Sequence, residues 1–413
     1  MADRHVDAIL CGGGLASANC ARWLREEGFD GSVLLVGREP EPPYNRPPCS
    51  KGYLQGKESR EDTYALAPSW YEENSVELQI RTSVLRLDLE DRVAVLSTQE
   101  EISFDKALIA TGSNVRLLRV DGVQLDGIHY LRALGNADTI RADTEDAEHV
   151  VVIGGSYIAT EVAASLTLLG RKVSILMQET VTHERSFGAQ AGRYFQSVLE
   201  EHGVEVHGDD ALARFEGVDG RVTRVVSEGG LELDADAVVI GAGAIPDTML
   251  AKQAGLEIGE RGGVACSSRL ETSVAGVFAA GDICEYDSPM HGGPVRIEHW
   301  DVAFNHGKTA ALNILGREVD HEVVPYFFSD LADWTSLEYV GPALEWDTEI
   351  VRGSIDDGEF AIFYLSNGHV AGCLAVEASD ALNEASRLLK DGVDVSGHHA
   401  QLADREADLS ELA

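Results

Sequence analysis

Two short turns carry the residues best suited to chemistry. Gly12–Ser17 reads GGGLAS and Gly154–Ala159 reads GGSYIA. A small-residue turn that opens a helix lets backbone amides approach a phosphate, and the helix N-terminus adds partial positive charge. In the first turn Gly12 permits the tight bend, Gly14 admits a pyrophosphate, and Ser17 is small enough for close helix–strand contact. Glu39 follows Gly14 by 25 residues, at the end of the next strand. A carboxylate there can accept hydrogen bonds from an adenosine ribose. In the second turn Gly154 keeps the bend, while Ser156 puts a Cβ and a hydroxyl where the middle glycine would stand. Tyr157 and Ile158 follow, and Ala159 takes the third position. The acid expected at Met177 is absent, and Glu179 is the nearest substitute. No Arg or Lys sits at that strand end to receive a 2′-phosphate, although His183 and Arg185 come slightly later. The pattern therefore favours NADH over NADPH.

The elements around these turns decide whether they can act. Val6–Cys11, a helical run to Glu27, Gly28 and strand Val33–Val36 form one strand–turn–helix–strand unit. Val150–Ile153, a helix to about Leu169, Gly170 and Val173–Leu176 form another. Each is a βαβ unit of the dinucleotide-binding type, and two of them say far more than one. Further strands end in small-residue turns: ALIATGS at Ala107–Ser113, with Thr111 and Gly112; VVIGAG at Val238–Gly243; VFAAGD at Val277–Asp282, with Gly281 and Asp282. From about Pro325 the pattern changes to alternating strands (Glu349–Gly353, Phe360–Leu365, His369–Val376) and one helix (Ser379–Lys390). That is an α+β appendage.

Composition narrows the function classes. The 413 residues hold 33 Lys+Arg against 70 Asp+Glu, a net charge of −37. Such a surface repels phosphate backbones and anionic lipid, so no nucleic-acid or membrane partner is expected. The basic residues are lopsided, 26 Arg to 7 Lys, which suits either a salt-rich or a GC-rich host. No apolar run reaches a membrane span and no signal-peptide pattern opens the chain, so a reduced, cytoplasmic protein is expected. Six scattered cysteines include no CxxC pair and no metal-ligand spacing. The acidic stretch from Gln401 to Ala413 is expected to fray.

The motifs in combination resemble the FAD-dependent NAD(P)H oxidoreductases with two dinucleotide-binding domains. The nearest branch is the ferredoxin, putidaredoxin and rubredoxin reductases, with apoptosis-inducing-factor-like proteins as relatives. Besides the two turns and Glu39, the resemblance rests on PYNRPPCSKGYL (Pro43–Leu54), IATGS, GGSYIATEVA, VFAAGD and IEHW (Ile297–Trp300). It implies two Rossmann-like α/β domains plus a C-terminal α+β interface domain. FAD would occupy 1–114 and 248–324, NAD would occupy 115–247, and the interface domain would run over 325–413.

Residue by residue, the resemblance implies Gly12, Gly14, Ser17 and Glu39 for the adenosine half of FAD. Asp282, with Gly281 before it, would meet its ribityl–pyrophosphate region, with Thr111 and Gly112 nearby, and Arg46 would bind the cofactor from the PYNRPPCSK segment. Gly154, Ser156, Tyr157, Ile158, Glu179 and Gly243 fall to the nicotinamide nucleotide, Tyr157 as an aromatic cover over the flavin. Lys51 would lie close to flavin N5 and pair with Glu161, and Glu298, His299 and Trp300 would flank the rings. Read without the family, Lys51 and Glu161 are better taken as two unrelated surface residues, which the resemblance reverses, while His299 could be a core histidine and Trp300 a packing residue. Cys49 has no second thiol nearby and reads as a small hydrophobe, which excludes a lipoamide-, glutathione- or thioredoxin-reductase mechanism.

The implied chemistry is hydride transfer from NADH to FAD, then electron delivery to a ferredoxin or rubredoxin of an oxygenase system. Alternatives are an apoptosis-inducing-factor-like or diaphorase-type NADH oxidoreductase acting on quinone, dye or oxygen, a monodehydroascorbate reductase, and a slow NADH/FAD redox sensor. The chain would act as a monomer or homodimer.

Overall fold

The computed structural model describes residues 2–341 and 343–412. Ala413, the last residue of the acidic tail, lies outside it. Tertiary packing divides the chain into two compact units. One comprises Met1–Asn45, Glu61–Asn114 and Ile245–Tyr326; the other comprises Arg46–Arg60, Val115–Ala244 and Phe327–Ala413.

The first unit is built on strand Arg4–Cys11, which pairs in parallel with Val33–Val36 on one side and Glu101–Ile109 on the other. Val76–Gln79 extends one edge, and Val277–Ala279 also runs parallel against Glu101–Ile109. Ala8, Ile9, Leu10, Leu34 and Leu35 are fully buried, as expected of parallel strands covered on both faces. Helix Leu15–Glu26 is rich in small residues (Ala16, Ser17, Ala18, Cys20, Ala21) on its buried side. Helix Trp300–Ile314 exploits this by closing to backbone contact, where a Cβ on Gly307 would fall 2.6 Å from the Ala16 carbonyl oxygen.

The second unit holds a five-stranded parallel sheet in the order Glu205–His207, Lys172–Leu176, His149–Ile153, Ala237–Ile240, Ile128–Tyr130. It also holds a five-stranded sheet in the order Tyr326–Leu331, Thr335–Val340, His369–Val376, Glu359–Ser366, Thr348–Ser354. Helix Asp380–Asp391 follows, ending at Gly392 in the left-handed conformation. Three of these strands and the helix answer to the alternation read above; Tyr326–Leu331 and Thr335–Val340 are additional. Helix Glu184–Glu201 packs on the second sheet, with the Tyr194 and Phe360 rings 5.1 Å apart and Tyr364 donating to the Phe187 carbonyl at 2.8 Å.

The stretch Arg46–Arg60 lies between parts of the first unit in sequence but is anchored in the second. Tyr53 and Arg60 both bond Asp138 on helix Leu134–Thr144, and Gln55 donates to Ser165 on helix Tyr157–Leu168 at 2.9 Å.

The tail departs from expectation. Leu402, Leu409 and Leu412 are buried. The Arg352 guanidinium donates to the carbonyls of Gln401, Leu402, Asp404, Arg405 and Ala407, at 2.5 to 3.4 Å. One half-buried cation thus satisfies five acceptors that acidic composition alone would have left in water. Arg352→Met is expected to lower stability by about 2–4 kcal/mol, the cost of charged hydrogen bonds lost from partly buried carbonyls. Thermal unfolding together with hydrogen exchange over residues 399–412 checks this. A tail equally protected in the variant would show that its leucines suffice.

Among the described residues, no helix is long and apolar enough to cross a membrane.

Candidate active site

In the first unit, Cys11 pairs in register with Val36 and Ile109, and Ile109 with Ala279. Four parallel strands therefore end at one edge, and everything that follows them emerges there. Gly12 turns with φ +134°, and a Cβ on it would sit 2.1 Å from the Ala110 carbonyl oxygen, so no larger residue fits. Gly14 precedes helix Leu15–Glu26 with open space where a side chain would stand and no side-chain cap on the helix. Ser17 is buried, and its Oγ has no hydrogen-bond partner among the described residues. Glu39 is half-buried and accepts the Tyr44 hydroxyl at 2.5 Å. Thr111 and Gly112 are tied to Asp247, the Thr111 hydroxyl donating to its carbonyl at 2.7 Å and the Asp247 amide to the Gly112 carbonyl at 2.8 Å.

Gly281 and Asp282 form a tight turn after Val277–Ala279. The Gly281 amide donates to Nδ1 of the fully buried His306 at 3.2 Å. That bond requires a neutral imidazole, and burial beside His321 pushes His306 well below its ordinary pKa. Glu298 pairs with Arg296. Burial pushes His299 down to about 4, only partly offset by Asp282. The Trp300 indole donates to Asn45 at 2.8 Å and lies against Phe304.

The second unit repeats the device. Ile153 is in register with Leu176 and Ile240, so Gly154, Met177 and Gly241 leave one sheet edge together. A Cβ on Gly154 would meet the Gly241 carbonyl oxygen at 2.5 Å. Gly243 stands two residues further on with open space beside it. Ser156 is exposed at the uncapped start of helix Tyr157–Leu168, and Ile158 is exposed next to it. Met177 is buried, close against Gly155, which explains why no acid stands there. Glu179 instead binds Arg185 at 2.7 Å. Arg46 donates to the Arg132 carbonyl at 2.5 Å.

Lys51 and Glu161 meet within this unit. Lys51 Nζ lies 3.3 Å from Glu161 Oε1 and 2.9 Å from Asp330 Oδ2, and 4.6 Å from the centre of the Phe328 ring. Glu161 is buried, and each of its oxygens accepts a serine hydroxyl at 2.5 Å, Ser50 on Oε2 and Ser329 on Oε1. Helix and strand periodicity explain the meeting. Tyr157 and Glu161, one turn apart, face Phe327 and Ser329, two residues apart on one side of strand Tyr326–Leu331. Phe328 and Asp330 point to the other side, toward Lys51. Packing with Phe327, His183 and Phe187 encloses Tyr157, and burial raises its phenol to about 12.

Residues 6–307 match the family model described as pyridine nucleotide-disulphide oxidoreductase. The chain belongs to that family. Residues 326–413 match a second model, reductase C-terminal. Rhodocoxin reductase of Rhodococcus erythropolis is 31% identical over 98% of this chain and 93% of its own. The benzene 1,2-dioxygenase system ferredoxin–NAD(+) reductase subunit of Pseudomonas putida is 33% identical over 94% of this chain and 92% of its own. The solved covalent complex of putidaredoxin reductase with putidaredoxin superimposes with a TM-score of 0.92 at 30% identity, over 100% of this chain and 98% of that one.

As a pyridine nucleotide-disulphide oxidoreductase the chain uses FAD and a nicotinamide nucleotide. The first unit's edge fits FAD: an open, uncapped helix N-terminus, an orphaned Ser17 hydroxyl and a carboxylate at the next strand end. The disulphide in the family's description has no counterpart among the described residues, where all six cysteines are buried and none lies in a disulfide. Sequence reasoning passed over Ser50, Ser329, His306 and the ionic role of Asp330. Only the place of Ser50 beside Lys51 hinted at any of them.

Proposed function

We propose that this protein takes one hydride, two electrons and a proton, from NADH onto bound FAD and hands the two electrons singly to a small iron–sulfur protein, a ferredoxin or rubredoxin, serving an oxygenase. The observation that carries this is near full-length similarity to reductases named for such carriers, joined to two strand-edge sites that suit two dinucleotides. The FAD supplies the chemistry of accepting a hydride and releasing electrons one at a time. Gly12, Gly14 and Glu39 bind its adenosine diphosphate half, and the turn Gly281–Asp282 orients the remainder, held in place by His306. Lys51 supplies positive charge that favours the reduced cofactor, and Glu161 with its two serines fixes where that charge sits. Tyr157, packed by Phe327, is the aromatic the second unit would offer to a ring, and Trp300, held by Asn45, the one the first unit would offer.

Anaerobic stopped-flow reduction by NADH, followed near the flavin absorbance band, tests this reading. Fast bleaching followed by rapid re-oxidation with a ferredoxin supports it. A protein that cannot be reconstituted with FAD overturns it, and slow bleaching with a lasting charge-transfer band moves the reading to a redox sensor.

For donor choice, Glu179 both offers a carboxylate to ribose hydroxyls and holds Arg185, the cation that could otherwise take a 2′-phosphate. Glu179→Gln is expected to lower the NADH-to-NADPH ratio of kcat/KM by about tenfold, the scale of one charged hydrogen bond. An unchanged ratio would mean the 2′ end is read elsewhere.

A further inference from the structure

One ammonium and two carboxylates meet at Lys51, and the carboxylates differ in kind. Glu161 is buried and immobilised by two serine hydroxyls, so its charge is a fixed feature of the helix. Asp330 has a side chain 35% exposed and takes the shorter contact to Lys51, 2.9 Å against 3.3 Å. It shares a strand face with Phe328, whose ring lies 4.6 Å from the same ammonium. Lys51 is thus held along an aromatic surface between a fixed anion and an adjustable one.

We propose that Asp330 is a positioning residue for Lys51, drawing its ammonium along Phe328 and moderating the positive charge available to stabilise reduced flavin. This deepens the function proposed above and rests on it. The physical basis is that a carboxylate in direct contact offsets much of an ammonium's field in a site poor in water, whereas an amide of the same shape does not. The adjacent Ser329 bonds Glu161, so a single dipeptide of the strand adjusts both members of the Lys51–Glu161 pair.

The test is the two-electron midpoint potential of the holoenzyme, read by dye equilibration with a chemical reductant. Asp330→Asn is expected to shift the equilibrium toward reduced flavin by about tenfold, equivalent to about 30 mV. Asp330→Glu should return it toward the wild-type value, and in a Lys51→Met background Asp330→Asn should have no effect. Asp330→Ser repeats the measurement if the Asn variant loses flavin. An unchanged potential in a folded, flavin-loaded Asn or Ser variant overturns the proposal, as does an equal shift without Lys51. Because the reductant is chemical, a wild type that NADH fails to bleach would count against the proposed function and leave this measurement intact.

Discussion

The Lys51→Met holoenzyme should be bleached by NADH about 10²–10³ times more slowly than the wild type, with FAD content unchanged. The size follows from the site. Lys51 retains only 14% side-chain exposure and faces Glu161 at 6%, so its charge acts where water screens it weakly. A preorganised charge at a centre that becomes more negative during reaction stabilises the transition state more than the ground state, and removing one such group typically costs two to three decades. FAD content should not follow, because the residues expected to hold the adenosine half (Gly12, Gly14 and Glu39) belong to the first unit and Lys51 to the second. Lys51→Arg should fall between, since the charge survives but a planar fork replaces a point donor shared by two carboxylates. Single-turnover stopped flow beside a flavin-to-protein ratio decides the matter. If flavin loss accounts for the slowing, Lys51 is structural.

Acid should destabilise the protein well before its carboxylates titrate. His183, His306 and His321 are buried, and burial holds all three below the ordinary imidazole value, His183 at about 3 and His321 at about 4. Among the described residues, their hydrogen-bond and ring partners are uncharged side chains or each other. His183 bonds Thr160 at 3.0 Å and is ringed by Tyr157, Phe187 and Phe195; His321 bonds Thr309 at 2.9 Å; His306 and His321 stand 4.5 Å apart beside Tyr286.

Above about pH 6.5 these groups are neutral folded and unfolded, and contribute nothing to the pH dependence. Between about pH 6.5 and about pH 4 the unfolded chain takes up protons that the folded chain refuses. Stability then falls by about 1.4 kcal/mol per pH unit for each imidazole. The three act in the same direction, and His299, which burial also holds low, adds to them.

Relief of self-repulsion from the net charge of −37 acts in the opposite direction. Melting curves are therefore best taken in about 0.5 M salt, where the Debye length is only a few ångströms. A Tm unchanged between about pH 7 and about pH 5 would sink the prediction. His321→Gln should flatten the slope. Flavin release should accompany the transition, because protonated His306 can no longer accept from the Gly281 amide.

Local chemistry made much of this legible in the chain. Gly12 and Gly154 are demanded by backbone carbonyls only 2.1 and 2.5 Å from where a Cβ would stand, and a glycine between an apolar strand and a helix announces such a turn without any knowledge of what lies across it. The apolar runs Val33–Val36 and Val150–Ile153 reported strands buried on both faces, because burial alone sets their composition. The strands and helix after residue 348 were likewise written in alternation and period. Pairing between distant residues was not. Nothing local marks Ser50 and Ser329 as ligands of one carboxylate 111 and 168 residues away from each, or Asp330 as a partner of Lys51 across 279. The acidic tail read as solvent-seeking because its charge is local information, whereas the cation that holds it, Arg352, arrives through the sheet. Composition and period determined the strands, the turns and the kind of ligand they suit. Only tertiary structure decided which polar groups meet, because a hydrogen bond or ion pair depends on separation in space, and separation along the chain carries almost no record of it.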